Sequence, residues 1–404
     1  MSAISRRFAP SVSDAVAGGG LSPALTFVFA LAAGALVANL YYAQALVTVI
    51  SPALGIPLGF AGAIVTVTQL GYAAGLVFLV SLADLIENRR LILLCVAGTV
   101  VGLIGTMLAQ NATMFMIASF VAGVCCVGAQ IIVPFAATMA KDEQRGSVIG
   151  NVMGGLIAGI MLARPAANFI ASAFGWRAVF GVSAVLAVAI FAVLWLWLPR
   201  RMPPSELSYG GILKSTFAML RDHPALRRRA LYQSVMFGIF SLFWTAAPFV
   251  LTQRFGFDQR EIALFALAGA GGALSAPIAG RLADRGYTRT GTAGAMLTAI
   301  VAFLIAGWMG VAGVIVILAL AAIALDAAVQ ANQIISQRVI YNLDPHARGR
   351  INAIYMTCLF LAAAAGSLLA GATYAGGGWF ATALTGAGFA AAALVAFATE
   401  PRAV

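Results

Sequence analysis

The sequence predicts an all-α membrane protein of twelve transmembrane helices, arranged as two pseudo-symmetric six-helix bundles. Three observations predict it. Of the 404 residues, 62% are hydrophobic and only 9% are charged, against about 25% charged in an ordinary soluble domain. So few charges cannot cover a water-facing surface of this size. The apolar residues come in runs of about 20 or more, the length that carries an α-helix across a bilayer. Short motifs of the first half also return in the second at a nearly constant offset. Lipid offers the backbone no hydrogen bonds, so spanning segments are helices or closed barrels. Continuous runs without strict alternation specify helices.

Taken in order, residues 1–23 read as a flexible tail carrying Arg6 and Arg7 and a Gly/Ser/Ala-rich stretch. The tail lacks the cleavage site of a signal peptide, and the apolar run after it is too long for an h-region. A first bundle, 24–198, holds helices near 24–49, 58–83, 91–110, 113–139, 147–172 and 176–198. A polar linker, 199–229, opens with Pro199-Arg200-Arg201 and closes with Arg227-Arg228-Arg229. Within it, Ile212, Phe217, Met219 and Leu220 mix with Lys214, Arg221 and Asp222, the pattern of a short amphipathic helix at the membrane surface. A solvated basic linker accounts for the same residues. The second bundle, 230–398, holds helices near 230–252, 261–283, 291–309, 313–341, 351–374 and 379–398, and 399–404 form a second tail.

The formal net charge is +11. In a soluble chain that would suggest nucleic acid; here the basic residues lie in short loops between apolar runs and obey the positive-inside rule. With twelve spans, one face receives the tails and the loops near 84–90, 141–146, 199–229, 281–289 and 338–350. The other keeps only Arg177, Arg254 and Arg260, so both termini are expected in the cytoplasm. Cys95, Cys125, Cys126 and Cys358 all fall inside apolar runs and read as small buried hydrophobes. His223 and His346 have no partners at ligand spacing, so no metal site is expected. The sequence holds no phosphate-binding loop and no nucleophile–base pair, so neither ATP, a cofactor nor catalysis is expected.

The repeat has three points in register. Leu82-Ala83-Asp84 returns as Leu282-Ala283-Asp284, and Gln130 returns as Gln330, both offset by 200 residues; Arg145-Gly146 returns as Arg348-Gly349, offset by 203. Two bundles of one topology place a substrate site between them near mid-membrane. The segment Gly280-Arg281-Leu282-Ala283-Asp284-Arg285-Gly286 resembles the loop signature of the major facilitator superfamily, Gly-x-Leu-Ala-Asp-Arg-x-Gly. The first-half copy has Val80, Leu85 and Glu87 in place of the first Gly, the Arg and the second Gly, and keeps Asp84, Arg89 and Arg90. Ala38-Asn39-Leu40-Tyr41-Tyr42-Ala43-Gln44 resembles the first-helix signature, Ala-Asn-Leu-Tyr-Tyr-x-Gln-Pro, of a bacterial subgroup of 12-helix drug/proton antiporter-like efflux permeases. Ala45 stands where that signature has its kinking Pro. The resemblance covers residues 24–398 and implies an alternating-access transporter of the bacterial inner membrane, a monomer exporting small organic molecules against protons. Import of a metabolite with protons, or a membrane receptor on the same fold, are the alternatives.

Charges inside spans are costly and mark function. Away from helix ends there are two, Arg164 and Asp326. Asp326 lies about 13 residues into its helix, roughly 20 Å deep at 1.5 Å per residue. Low dielectric disfavours a carboxylate's charge and a nearby cation restores it, so a carboxyl group there can take up and release a proton. A structural Asp locked to Arg164, Asn332 or a neighbouring helix is the other reading, and a direct substrate contact a third. Arg164, followed by Pro165, occupies the stretch where exporters carry a Gly-Pro motif. The Arg of exporter fourth helices is absent, with Ser119 near its place, and Arg164 is a candidate to supply that charge. Its alternative is to snorkel to the outer interface. Its depth differs from that of Asp326 by roughly 10 Å at 1.5 Å rise per residue.

Gln130 and Gln330 are candidates for polar substrate contacts or for helix–helix hydrogen bonds. Asn39, Tyr41, Tyr42 and Gln44 span more than one helix face, so they cannot all line a cavity; Phe243 and Trp244 are the counterparts from the second half, with core packing the alternative for each ring. Asp84 and Asp284, beside Arg89, Arg90, Arg285 and Arg289, read as gate latches whose charge pairs form in one access state and break in the other. The spacings Gly71/Gly75, Gly98/Gly102 and Gly155/Gly159 allow close helix contact. The topology is tested with a single cysteine, Ser205→Cys: an impermeant thiol reagent added outside intact cells should leave it unlabelled, and rapid labelling would overturn the assignment.

Overall fold

The computed structural model describes residues 21–203, 208–275, 279–281, 285–344 and 347–400. Asp284, most of both tails and part of the linker, including position 205, lie outside the described residues. The described residues form fourteen α-helices: α1 Pro23–Ala45, α2 Val47–Ala53, α3 Ala63–Phe78, α4 Asn88–Met107, α5 Ala112–Cys126, α6 Gly128–Met139, α7 Asp142–Phe174, α8 Trp176–Trp197, α9 Tyr209–Asp222, α10 Pro224–Phe255, α11 Gln259–Ala270, α12 Thr288–Ala312, α13 Ile315–Tyr341 and α14 Arg348–Ala398. Ten helical segments among the described residues are long and apolar enough to cross a bilayer. One of these, Leu58–Asp84, joins α3 to the 3-10 turns at its ends, and another, Ala112–Met139, joins α5 to α6.

Helix ends follow local chemistry. Ser22 caps α1 by accepting from Leu25 N at 3.2 Å, with Pro23 in the first turn. Asn111 caps α5 by accepting from Met114 N at 2.9 Å. Asp258 and Glu261 form a reciprocal capping box on α11, satisfying donors that the helix itself cannot. A straight helix of 51 residues would be about 75 Å long, more than twice the hydrocarbon thickness. Gly377 and Gly378 leave helical geometry and divide α14 into two helices, Gly378 taking φ 66°, a conformation open to glycine.

Three expected helices are interrupted. The stretch 24–49 breaks at Leu46 although Pro is absent at position 45. The stretch 113–139 breaks at Val127, where Gln130 N turns tightly onto Val127 O at 2.8 Å. The stretch 261–283 stops at Ala270 and passes into a 3-10 turn, Gly271–Ser275. Gly269, Gly271 and Gly272 lower helix propensity there by about 1 kcal/mol each relative to Ala. The linker forms a true helix, α9, whose face at Ile212 and Thr216 is buried. Tyr209 donates its hydroxyl to Phe78 O at 3.1 Å, and Arg350 donates to Ser215 Oγ at 2.9 Å, so α9 lies across both halves. Arg227, Arg228 and Arg229 belong to α10, which begins at Pro224 and not near 230.

Two groups of helices pack within themselves. In the first, α1 packs on α7, α3 and α4 on α5, and α4 on α8; in the second, α10 packs on α14, and α12 on α13 and α14. Two seams join the groups, α3 against α14 and α7 against α11. Under the internal repeat these seams exchange, because α3 is the counterpart of α11 and α7 of the first arm of α14. Lipid supplies no hydrophobic drive between helices, so packing depends on small residues that let backbones approach. Gly71 and Gly75 lie against Phe120 O and Val124 O of α5, Gly98 and Gly102 against Cys125 and Ala122, and Gly155 and Gly159 against Ala30 and Gly34. At the seam, Gly62 of the first bundle meets Ser367 O of the second, and inside the second bundle Gly366 meets Gly238 O. Gly159→Ala should cost about 1–3 kcal/mol by overpacking the α1–α7 contact. Gly150→Ala, with open space around it, should be neutral or stabilising by about 0.5–1 kcal/mol. Thermal unfolding in detergent checks this; equal midpoints for the two variants would show that α1 and α7 are not in backbone contact.

A candidate substrate and proton site between the bundles

Arg164 projects from α7 into the seam and is 7% exposed. Its Nε and Nη2 both donate to Gln44 Oε1, at 3.1 and 2.9 Å. Gln44 stands in the last turn of α1, and its Nε2 donates onward to Thr245 Oγ1 at 3.1 Å and to Ser241 O at 3.4 Å on α10. One amide therefore anchors the cation of the first bundle and ties it to the second. Three rings surround the guanidinium, with centroids 5.0 Å away at Tyr41, 5.1 Å at Phe240 and 4.5 Å at Trp244. Cation–π attraction of this kind is worth about 0.5–2 kcal/mol per ring.

Trp244 faces two ways. Its ring takes Arg164, while its Nε1 donates to Asp326 Oδ1 of α13 at 2.7 Å. The charges of Arg164 and Asp326 act on each other without direct contact, for no ion pair within 4.0 Å joins them among the described residues. Asp326 is half-buried. The glycine run of α11 makes room for it: a methyl added at Gly269 would come 2.8 Å from Asp326 Oδ2, and one at Gly272 would come 2.5 Å from Asp326 Cβ. Beside this site runs a neutral polar ladder. Gln69 Nε2 donates to Ser241 Oγ at 2.9 Å, Ser367 Oγ donates to Gln69 Oε1 at 3.0 Å, and Thr66 Oγ1 donates to Ala364 O at 2.9 Å. Each bond crosses from one bundle to the other.

The structure brings Gln44, Arg164, Trp244 and Asp326 together. Trp244 links the two charges, its ring centroid 4.5 Å from the Arg164 guanidinium carbon and its Nε1 2.7 Å from Asp326 Oδ1. The other candidates lie elsewhere. Asn39 Nδ2 donates to Ala35 O and Leu36 O of its own helix, and its Oδ1 accepts from Ser183 Oγ at 2.7 Å, all within the first bundle. Gln130 donates to the Tyr72 hydroxyl at 3.1 Å, and Tyr72 packs on Phe360 with centroids 4.4 Å apart. Gln130, Gln330 and Tyr42 are half-buried. Phe243 packs between Trp379 and Phe303 in the core of the second bundle.

Among the described residues no ion pair within 4.0 Å joins Asp84 to Arg89 or Arg90. Arg89 is buried and donates to Trp195 O near the end of α8, where carbonyls lack helical partners and the helix dipole is negative. Arg90 pairs with Glu87 at 2.9 Å. The charges acting on Asp84 are those of Arg350 and Arg201, the former from the second half. Arg285 is exposed, and Arg289 donates to Glu400 O at 3.2 Å and covers Phe397. Sequence reasoning missed Gln69, Ser241, Thr245, Ser367, Phe240, Gly269 and Gly272. Gln69 inside an apolar span, and Ser241 and Thr245 one helical turn apart on α10, were the available signals.

The fold and this site define a multi-pass membrane protein of transporter class: two helix bundles with polar and charged side chains concentrated where they meet. The sequence profile of the Major Facilitator Superfamily matches residues 24–337 and again 229–404, and the chain belongs to that superfamily. It is 40% identical over 368 residues to the uncharacterized transporter YgaY of Escherichia coli O157:H7, covering 91% of this chain and 93% of that one. It is 30% identical over 357 residues to the probable transporter SCO4007 of Streptomyces coelicolor, covering 87% and 82%. In structure it resembles a bacterial homologue of the human lysosomal transporter Spinster, in an inward-facing and occupied conformation, with a TM-score of 0.73 at 14% identity over 94% of this chain and 97% of that one. Gln44→Leu should leave the Arg164 guanidinium without its acceptor, at about 1–3 kcal/mol for each buried group left unsatisfied. Gln44→Glu, which keeps an acceptor for Arg164, should lose less. Unfolding midpoints in detergent decide it: a wild-type midpoint for Gln44→Leu would mean that Gln44 does not hold Arg164.

Proposed function

We propose that this chain is a secondary active transporter, not an enzyme, that moves small organic molecules by alternating access and couples them to protons at Asp326. The observation that carries the reading is the arrangement Arg164–Trp244–Asp326 at the seam: two opposite charges deep in apolar helices, held apart by one indole. A closed ion pair would lock the bundles together. A pair separated by a ring can exchange partners, with a proton or a substrate on one side and the tryptophan or the cation on the other. The neutral ladder of Gln69, Ser241 and Ser367 suits a seam that opens and closes, because hydrogen bonds between membrane helices are worth only about 0.6–2 kcal/mol each.

In this reading the chain has twelve spans, counting α14 as two and the α11 region as one more than the ten long segments. Both termini face the cytoplasm of a bacterium, and a monomer suffices. Asp84 and Asp284 serve as inner-face latches, with Arg350 a partner for Asp84. Proton-driven export follows from the first-helix resemblance. A second reading, import with protons, is favoured by one observation, the fixed positive charge of Arg164 in the site.

Proton flux in proteoliposomes, screened against a compound library, tests the reading. Asp326→Asn should retain membrane insertion and substrate exchange but lose gradient-driven transport and proton exchange with substrate. Equal proton movement in wild type and Asp326→Asn would place the coupled proton elsewhere.

A further inference from the structure

We propose that the substrate taken up at the Arg164–Trp244 site is a small organic anion, a carboxylate on an apolar body, and that it binds together with one proton on Asp326. The proposal rests on the proton-coupled reading above and adds the substrate class and the sign of coupling.

Charge carries the argument. Away from helix ends, Arg164 and Asp326 are the charged side chains of the described spans; buried Arg89 and Arg229 lie near the ends of their helices. A guanidinium keeps its charge in proteins. The site is therefore neutral when Asp326 is ionised and carries one positive charge when Asp326 is protonated. It is never negative, so a cation always meets a neutral or positive site. An anion meets a positive one whenever Asp326 holds a proton. Among the described residues, the charged and titratable groups whose charges act with Asp326 are Arg164 from α7 and Tyr41 from α1. α10 presents Trp244, and α11 presents Gly269 and Gly272, none of them titratable.

The donors agree with the charge. Arg164 spends Nε and Nη2 on Gln44, and Nη1 makes no hydrogen bond among the described residues. A carboxylate matches the planar fork of a guanidinium. Asp326 Oδ1 already accepts from Trp244, and Oδ2, without a hydrogen bond among the described residues, is where the proton is placed. Tyr41, Phe240 and Trp244 supply ring faces around Arg164, and half-buried Phe237 stacks on Phe240 at 5.6 Å. That lining suits an apolar body. An ionised Asp326 would repel the incoming carboxylate, so proton and anion favour each other's binding. The two then travel in one direction, the symport sign.

The test is calorimetric titration of the detergent-purified full chain with matched pairs: benzoate and benzylammonium, phenylacetate and phenethylammonium, hexanoate and hexylammonium. Titrations at about pH 6 and about pH 8, both above the carboxylates' own range, are repeated in two buffers of different ionisation enthalpy to count protons. At least one carboxylate should bind more tightly than its ammonium partner, take up a proton on binding and weaken at the higher pH. Arg164→Gln should weaken it roughly 10- to 100-fold, the range of a hydrogen bond to a charged group. Asp326→Asn should bind it without proton uptake and equally at both pH values, which keeps the test decisive if Arg164→Gln does not fold. If no carboxylate binds more tightly than its partner, or if proton uptake persists in Asp326→Asn, the proposal is overturned. Proteoliposome flux separates the two readings. Proton-linked carboxylate binding without gradient-driven flux would sustain this inference and sink the transport reading. Gradient-driven flux of the ammonium compounds alone would do the reverse.

Discussion

A guanidinium held in the middle of apolar helices, with no carboxylate in contact among the described residues, is the constraint that the centre of this molecule is built around. An isolated ion in such a medium costs several kcal/mol even after relaxation. Arg164 meets that cost with one amide oxygen, three ring faces and the field of Asp326 beyond the tryptophan. These groups come from α1, α10 and α13, and the cation itself from α7. Satisfying one cation thus sets the register of helices from both bundles. The glycines of α11 follow from the same demand, since a Cβ at Gly269 would crowd both the indole and the carboxylate.

Away from the cation, the bundles meet through neutral groups and bare backbone. Gly62 against Ser367 O brings main chains together, and Gln69 closes hydrogen bonds to Ser241 and Ser367 across the seam. Contacts of this kind are individually weak in lipid, where the separated partners find other bonds within their own bundles. They hold a seam without making it permanent. Inside each bundle small residues also bring helices together, as Gly34 against Gly155 and Gly159 in the first and Gly366 against Gly238 in the second. In the linker, α9 reaches both halves, through Phe78 on one side and Arg350 on the other.

The helical content, the apolar spans and the division into two repeating halves were all legible in the sequence, because 1.5 Å of rise against a fixed hydrocarbon thickness leaves few ways to thread such a chain. Arg164 and Asp326 stood out because lipid makes any charge conspicuous. What was not legible was how side chains are shared. Asn39 and Gln44 belong to one short motif, yet Asn39 turns back onto its own bundle and Gln44 crosses to the other. Arg89 looked like a partner for Asp84 and is instead drawn to the carbonyl end of α8.

The sequence by itself determined that this chain lives in a membrane, that its helices come in two related sets, and which two charges had to be accommodated. Only the tertiary structure decided that those charges share a tryptophan, that Gln44 is the acceptor between the bundles, and that Gly269 and Gly272 serve Asp326. The physical reason is range. Hydropathy and periodicity are properties of neighbours along one helix, whereas the environment of a buried charge is assembled from several helices, 120 residues apart for Arg164 and Gln44 and 82 apart for Trp244 and Asp326.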